Sequence, residues 1–143
     1  MKVSRTVTYA VQALLQLSVN GESGPVPCGQ LAKEGRMPER FLLQILRDLV
    51  TSGILRSVRG VDGGYQLARQ PASISLEDVF EAVNGTLVPS VPPLDELPDF
   101  ARQKLLHTFE KIAATTRASL TQVKLSDLIE PATRNAGKQQ QTS

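Results

Sequence analysis

The side chains able to do chemistry are few, and their types decide which chemistry is open. The chain has one cysteine, Cys28, and one histidine, His107. One thiol cannot close an intramolecular disulfide, and neither a cysteine-rich metal site nor a His-rich catalytic zinc centre can be assembled. No P-loop, no Gly-x-Ser-x-Gly and no His-based acid–base pair occurs, and nothing groups the carboxylates, so catalysis is not expected. What remains is a set of guanidinium and amide groups. Arg40, Gln44 and Arg47 stand at i, i+4 and i+7, and Arg56 and Arg59 precede a glycine-rich Gly60-Val-Asp-Gly-Gly64. Such groups bind phosphates and hydrogen-bonding edges without making or breaking bonds.

The charge pattern points the same way. The formal net charge of +2 is a cancellation of three blocks. Residues 1–70 carry nine basic and five acidic groups, residues 71–100 six acids and no Lys or Arg, and residues 101–143 seven basic and three acidic groups. A basic head of this kind suits a polyanion. The acidic block, around 77–99, offers a surface for a cationic ligand or is simply solvated. Hydrophobic residues make up 41% of the chain, enough for a core. No apolar run approaches the ~20 residues of a membrane span, and the start lacks a secretory h-region. The expectation is a soluble, cytoplasmic protein without a membrane partner.

The elements that must position those side chains follow from periodicity. Residues 4–20 predict a helix, with Ser4 as N-cap and an apolar stripe of Val7, Val11, Leu14 and Ser18 flanked by Ala10 and Leu17. A short helix is expected at 28–35, with Pro27 in its first turn and Gly35 at the C′ position. A third helix opens at Pro38-Glu39 and ends at Ser52-Gly53. Its apolar face is Phe41, Leu42, Ile45, Leu46, Leu49 and Val50, and its other face carries Arg40, Gln44, Arg47 and Asp48. Short helix, tight turn and longer helix make a helix-turn-helix pattern. Two β-prone runs, 54–59 and 65–69, flank the glycine-rich segment as a hairpin, decorated by Arg56, Arg59 and Arg69. A basic hairpin after a helix-turn-helix is a wing.

Ser75-Leu-Glu-Asp78 starts another helix that ends at Asn84-Gly85. Residues 86–98 hold four prolines and read as a linker. Asp99 caps a longer helix to about 124, whose stripe Leu105, Phe109, Ile112, Thr116, Leu120 and Val123 is nearly coiled-coil in period. A single helix cannot bury such a stripe, so it needs a partner surface; the alternative is that 105–123 folds back on its own head. Leu125, Leu128 and Ile129 continue the apolar signal, and from Ala132 the tail has nothing to bury. The fold class is therefore mainly α with a small β-hairpin wing. Its domains are a winged helix-turn-helix over 1–85, the linker 86–98, a dimerisation helix with its extension over 99–130, and a disordered tail at 131–143.

Specific segments carry a family resemblance. Tyr9-Ala-Val, Gln30-Leu-Ala, Phe41-Leu-Leu-Gln-Ile-Leu and Leu49-Val-Thr-Ser-Gly-Ile-Leu match, as does Ser57-Val-Arg-Gly-Val-Asp-Gly-Gly-Tyr-Gln-Leu-Ala. So do Ile74-Ser-Leu-Glu-Asp-Val-Phe-Glu-Ala-Val and Leu125-Ser-Asp-Leu. The chain resembles the Rrf2 family of bacterial winged helix-turn-helix regulators, the type of IscR, NsrR and CymR, over roughly residues 1–130. The resemblance implies a homodimer whose long C-terminal helices cross and whose two winged domains face a palindromic operator in double-stranded DNA. It also implies repression rather than activation.

On that footing the leading end of the third helix, Glu39, Arg40, Leu43, Gln44 and Arg47, faces the major groove. Arg40 suits guanine, Gln44 adenine and Arg47 phosphate. Leu43 stands where family members often carry a polar residue, and either touches a thymine methyl or packs on the core. Arg59 and Gly60 form a small tip able to enter a narrow minor groove, as the resemblance implies, with Arg56 behind them. Asp62 replaces a more usual glycine. Ser4 and Arg5 are phosphate candidates at a helix N-terminus. Several family members hold an iron–sulfur cluster through three cysteines in the region matching 86–106; this chain has none there, so no cofactor is expected and His107 is a surface or interface residue. Cys28, at a helix N-terminus where the dipole lowers a thiol pKa, is either a redox thiol or a small capping residue. A small molecule or a partner protein remains as effector. The competing reading is a dimeric interaction module that kept the fold and lost specific DNA binding.

Overall fold

The computed structural model describes residues 3–20, 23–85 and 91–131. Part of the expected linker, 86–90, and the expected disordered tail from 132 lie outside the described residues. The elements run α1 (Arg5–Asn20), α2 (Cys28–Gly35), α3 (Glu39–Thr51), β1 (Leu55–Val58), β2 (Gly64–Leu67), α4 (Leu76–Asn84) and α5 (Asp99–Gln122). Short 3-10 turns occupy Pro71–Ser73 and Leu125–Leu128.

Three helices begin directly after a proline, at Pro27, Pro38 and Pro98, each extended and near φ −60°. A fixed φ and no N–H to satisfy suit the residue that precedes the first helical turn. Pro27 is thus the N-cap rather than a first-turn residue. Asp99 is likewise the first residue of α5, not its cap, and its carboxylate pairs with Arg102.

The core lies where α1, α2, α3 and α4 meet. α1 contributes Val7, Ala10, Ala13, Leu14 and Leu17, so its buried stripe is turned slightly from the expected one, with Val11 and Ser18 half-buried at its flanks. α3 buries Leu42, Ile45, Leu46 and Leu49. Phe41 was expected on that apolar face but is 67% exposed, because it falls one residue beyond the buried arc.

α2 is held against α1 by two amides. Gln12 Nε2 donates to the Gly35 carbonyl at 2.6 Å and Gln16 Nε2 to the Leu31 carbonyl at 3.3 Å. Gly35 is the last helical residue, and the left-handed position expected of it belongs to Arg36, at φ 53°. Glycine at 35 leaves room for two side-chain ends: an added Cβ would lie 2.7 Å from Met37 Cε and 2.8 Å from Gln12 Nε2, and these would have to shift.

β1 and β2 pair antiparallel from Leu55↔Leu67 to Val58↔Gly64. Val26 adds a one-residue third strand through paired bonds with Tyr65, both 2.9 Å. A strand of one residue between Pro25 and Pro27 has no periodicity and is invisible in the sequence. The approach is so close that a Cβ at Gly64 would lie 2.4 Å from the Val26 carbonyl carbon.

Ser75 caps α4 through a complete capping box: its Oγ accepts from the Asp78 N–H and Asp78 Oδ2 accepts from the Ser75 N–H, both at 3.0 Å. The chain returns here after α5. The Leu76 N–H donates to the Val123 carbonyl at 2.9 Å and the Leu125 N–H to the Ile74 carbonyl at 2.8 Å. Leu125 is fully buried in the head's core. The extension after α5, expected to belong with the dimerisation helix, is therefore packed into the winged domain. Replacing Ser75 by alanine removes a buried cap at this junction and is expected to cost about 1–2 kcal/mol. Urea unfolding reads it; an unshifted midpoint would show that the cap contributes nothing.

Candidate nucleic-acid interface

The α2–turn–α3 unit presents the outward side of α3. Arg40, Gln44 and Arg47 are all exposed on it, on the side away from Leu42, Ile45, Leu46 and Leu49. Gln44 Nε2 donates to Asp48 Oδ1 at 3.0 Å. That bond orients the amide and leaves its oxygen and a second N–H for an adenine edge. Leu43 is half-buried and is not among the residues packed on the core cluster, which leaves its methyls on the outward face.

Glu39 sits differently from its neighbours. Its carboxylate lies over the start of α2, where a Cβ added to Gly29 would be 3.5 Å from Glu39 Oε1. A carboxylate is favoured beside free helix N–H groups, so Glu39 suits the start of α2 while Arg40 is exposed on the outward side.

The hairpin divides the remaining candidates. Ser57 and Tyr65 line an open cleft with Arg47, Val50 and Thr51 of α3. Arg56 is on the opposite face of β1, as strand alternation demands, beside Leu17 and Ser18 of α1. The structure thus brings Arg47 to the groove between α3 and the wing and sends Arg56 away from it. Arg59 is exposed at the end of β1, next to Gly60. Arg69, expected as wing decoration, bonds the Ser73 carbonyl and pairs with Asp78 at 3.3 Å, so it serves the α4 junction.

At the N-terminus of α1, Ser4 Oγ accepts from the Val7 N–H at 3.3 Å and donates to Asn84 Oδ1 at 3.2 Å, so its hydroxyl is occupied as a cap. Arg5 is exposed and lines a small, mainly apolar hollow with Thr6, Tyr9, Pro38 and Phe41. Phe41 is a surface residue of this hollow, and its position one step outside the α3 stripe is the sequence signal for that.

Ion pairs sort the arginines. Among the described residues the pairs are Arg69–Asp78, Arg102–Asp99 and Arg117–Glu77. Arg5, Arg40, Arg47, Arg56 and Arg59 are in none of them. The same pairs change the meaning of the acidic block. Glu77 also accepts from the Thr121 hydroxyl, and Asp78 serves the Ser75 cap, so three of its six acids are tied to neighbours.

The thiol of Cys28 departs from expectation. Burial pushes its pKa above the ordinary value, and the nearby Glu39 carboxylate pushes it further. Desolvation and a like charge outweigh the helix dipole. The thiolate fraction near neutral pH is therefore small. Alkylation of Cys28 by iodoacetamide at pH 7.5 is expected to be several-fold slower than that of a free cysteine peptide, with Glu39→Gln speeding it; a rate at or above the peptide's would contradict this.

The stripe on α5 is only partly covered within the single chain. No residue of α5 is buried; Ile112 is 57% and Phe100 80% exposed, and Leu105 and Leu106 are exposed too. Phe109, Thr116, Leu120 and Val123 are half-buried, the last turns docking on α4 through Arg117–Glu77 at 3.5 Å. No helix among the described residues is long and apolar enough to cross a membrane.

Comparison with known proteins agrees with this geometry. Residues 3–131 match the profile of Rrf2, described as an iron-dependent transcriptional regulator. A protein of Mycobacterium tuberculosis named as an HTH-type transcriptional regulator is 34% identical over 131 residues, covering 90% of this chain and 81% of that protein. Among solved structures, CymR of B. subtilis superposes with a TM-score of 0.71 at 25% identity, covering 90% of this chain and 95% of its own. IscR of T. potens gives 0.69 at 31% identity, covering 90% and 85%. A mostly helical winged fold, basic side chains turned outward on its third helix and a match over nearly the whole described chain lead to one conclusion: the chain belongs to the Rrf2 family of transcriptional regulators.

Proposed function

We propose that this protein is a sequence-specific repressor that binds a palindromic operator in double-stranded DNA as a homodimer, without an iron–sulfur cluster. The observation that carries the reading is the outward side of α3, where Arg40, Gln44 and Arg47 are exposed and, among the described residues, neither arginine is in an ion pair. Arg40 and Gln44 read base edges, Leu43 meets a thymine methyl, and Arg47, Arg5 and the N-terminus of α1 take phosphates. Arg59 and Gly60 enter the flanking minor groove. Arg56, on the other face of the hairpin, contributes to the general positive field.

The exposed Leu105 and Ile112 of the α5 stripe, with Phe109 between them only half-buried, support the homodimer. Leu105, Phe109, Ile112, Thr116 and Leu120 form the contact, with Val123 at its docked end. Two heads related by a two-fold axis then face two half-sites about one helical turn apart, or a multiple of it.

The family description implies iron, and the donor set here does not fit a cysteine-ligated cluster. The chain has one cysteine, at the start of α2, and its one histidine is exposed on α5. Among the described residues no three His, Cys, Asp or Glu side chains are grouped to hold a metal. The signal therefore reaches this protein by another route, a small molecule or a partner protein. Repression itself rests on the family resemblance.

Selection of genomic fragments by the purified protein tests the reading. Recovery of fragments sharing an inverted repeat, bound with an affinity that falls steeply with salt, is the expected result. Recovery of nothing above background would favour a dimeric interaction module that has lost DNA binding.

A further inference from the structure

The tip of the wing is a four-residue turn, Gly60 to Gly63, closed by the Gly63 N–H donating to the Gly60 carbonyl at 3.1 Å. Val61 and Asp62 hold its two corner positions, so their side chains lead the hairpin while Arg59 stands just behind the turn. Val61 is wholly exposed, and Asp62 is exposed too. Among the described residues Asp62 is in no ion pair, not even with Arg59 three residues away. An unpaired carboxylate at the tip, beside the arginine, is unlike an ordinary basic wing, and it has a definite chemical consequence.

An ionised carboxylate only accepts hydrogen bonds. The floor of the minor groove at A·T pairs shows only acceptors, adenine N3 and thymine O2. At G·C pairs it adds one donor, the guanine 2-amino group. A leading carboxylate is therefore repelled at A·T and offered a charge-assisted hydrogen bond at G·C. The narrow groove of A·T tracts also carries the deepest negative potential, which attracts Arg59 and repels Asp62. Both effects on Asp62 have the same sign. We propose, resting on the DNA-binding reading above, that Asp62 makes this wing select G·C pairs in the minor groove it enters, chiefly by penalising A·T.

The test uses the full chain and a pool of duplexes randomised across the operator flanks. Wild type, Asp62→Ala, Asp62→Asn and Arg59→Ala are each carried through selection. Asp62 is not at positive φ, so both replacements fit its backbone. Wing-contacted positions are those whose hydroxyl-radical protection is lost with Arg59→Ala. At these positions wild type is expected to enrich G·C and both Asp62 variants to shift toward A·T. Inosine in place of guanine there deletes only the 2-amino group, and should weaken wild type on the order of tenfold while leaving Asp62→Ala nearly unchanged. Identical base preferences for wild type and the Asp62 variants, or an equal inosine effect on both, overturn the proposal while leaving DNA binding intact. Wild type that enriches no sequence at all overturns the DNA-binding reading and this proposal together.

Discussion

Ile112→Asp is expected to convert the protein to a monomer at micromolar concentration and to abolish tight binding to a two-half-site operator. Ile112 is 57% exposed in the single chain and lies mid-stripe between Phe109 and Thr116 on α5. In the proposed dimer two copies would be covered at once, so the substitution buries two carboxylates without partners. Each carries a penalty of several kcal/mol, so the dissociation constant of the dimer should rise on the order of 10³-fold or more. The fold should survive, because no α5 residue belongs to the head's core and α5 docks on α4 nearer its C-terminal end, through Arg117 and Thr121 on Glu77. Binding to a palindrome falls for a separate reason: an untethered second head no longer enjoys the effective concentration that the first one provides. Light scattering behind size exclusion reads the assembly, and anisotropy with full and half operators reads the coupling. A variant that stays dimeric and binds as wild type would move the interface off this stripe.

Much of the fold was legible because local signals and global packing agree. The α3 stripe, the Ser75 capping box and the glycine-rich hairpin each state their structure within a few residues. The structure departs from local expectation where two signals of similar strength compete at an element's edge. Gly35 looked like a left-handed C-cap, yet its lack of a side chain is used for the close approach of Gln12 and Met37, and Arg36 takes the left-handed position. Phe41 looked like core by type, and its angular position placed it outside. Long-range pairings were the least visible. Nothing local marks Val26 as a strand or joins Ser75 to Lys124 as a bridge, because each pairing is only one residue long.

The interface was legible as a set of side chains and less so as an arrangement. Spacing put Arg40, Gln44 and Arg47 on one face of α3, and the structure keeps them there. Spacing alone could not say that Arg69 is consumed by Asp78, that Glu39 turns back over α2, or that strand alternation separates Arg56 from Arg47. The Cys28 thiol shows the same limit: a helix N-terminus is readable from sequence, but the burial and the Glu39 carboxylate that outweigh it are not.

Arg59→Ala should weaken operator binding by about 10²- to 10³-fold while leaving stability unchanged. Arg59 follows the last β1 residue, Val58, and is exposed, and among the described residues it is in no ion pair, so its removal breaks no ion pair seen there. The turn ahead of it is closed by backbone groups of Gly60 and Gly63, and the hairpin behind it is anchored by Val26 on Tyr65. The tip therefore keeps its shape without the arginine. A groove contact of this kind is worth about 1–3 kcal/mol, and a dimer loses two of them. The slope of log affinity against log salt should also flatten, by about one for each cation withdrawn from the phosphates. Arg102→Ala is the matched control: it removes the same charge from the chain, but at a residue paired with Asp99 on α5, far in sequence from α3 and the wing. If net charge alone drove binding, the two variants would lose affinity equally and their salt slopes would coincide. A loss confined to Arg59→Ala is what a wing seated in the groove requires, and equal losses would remove the wing from the interface.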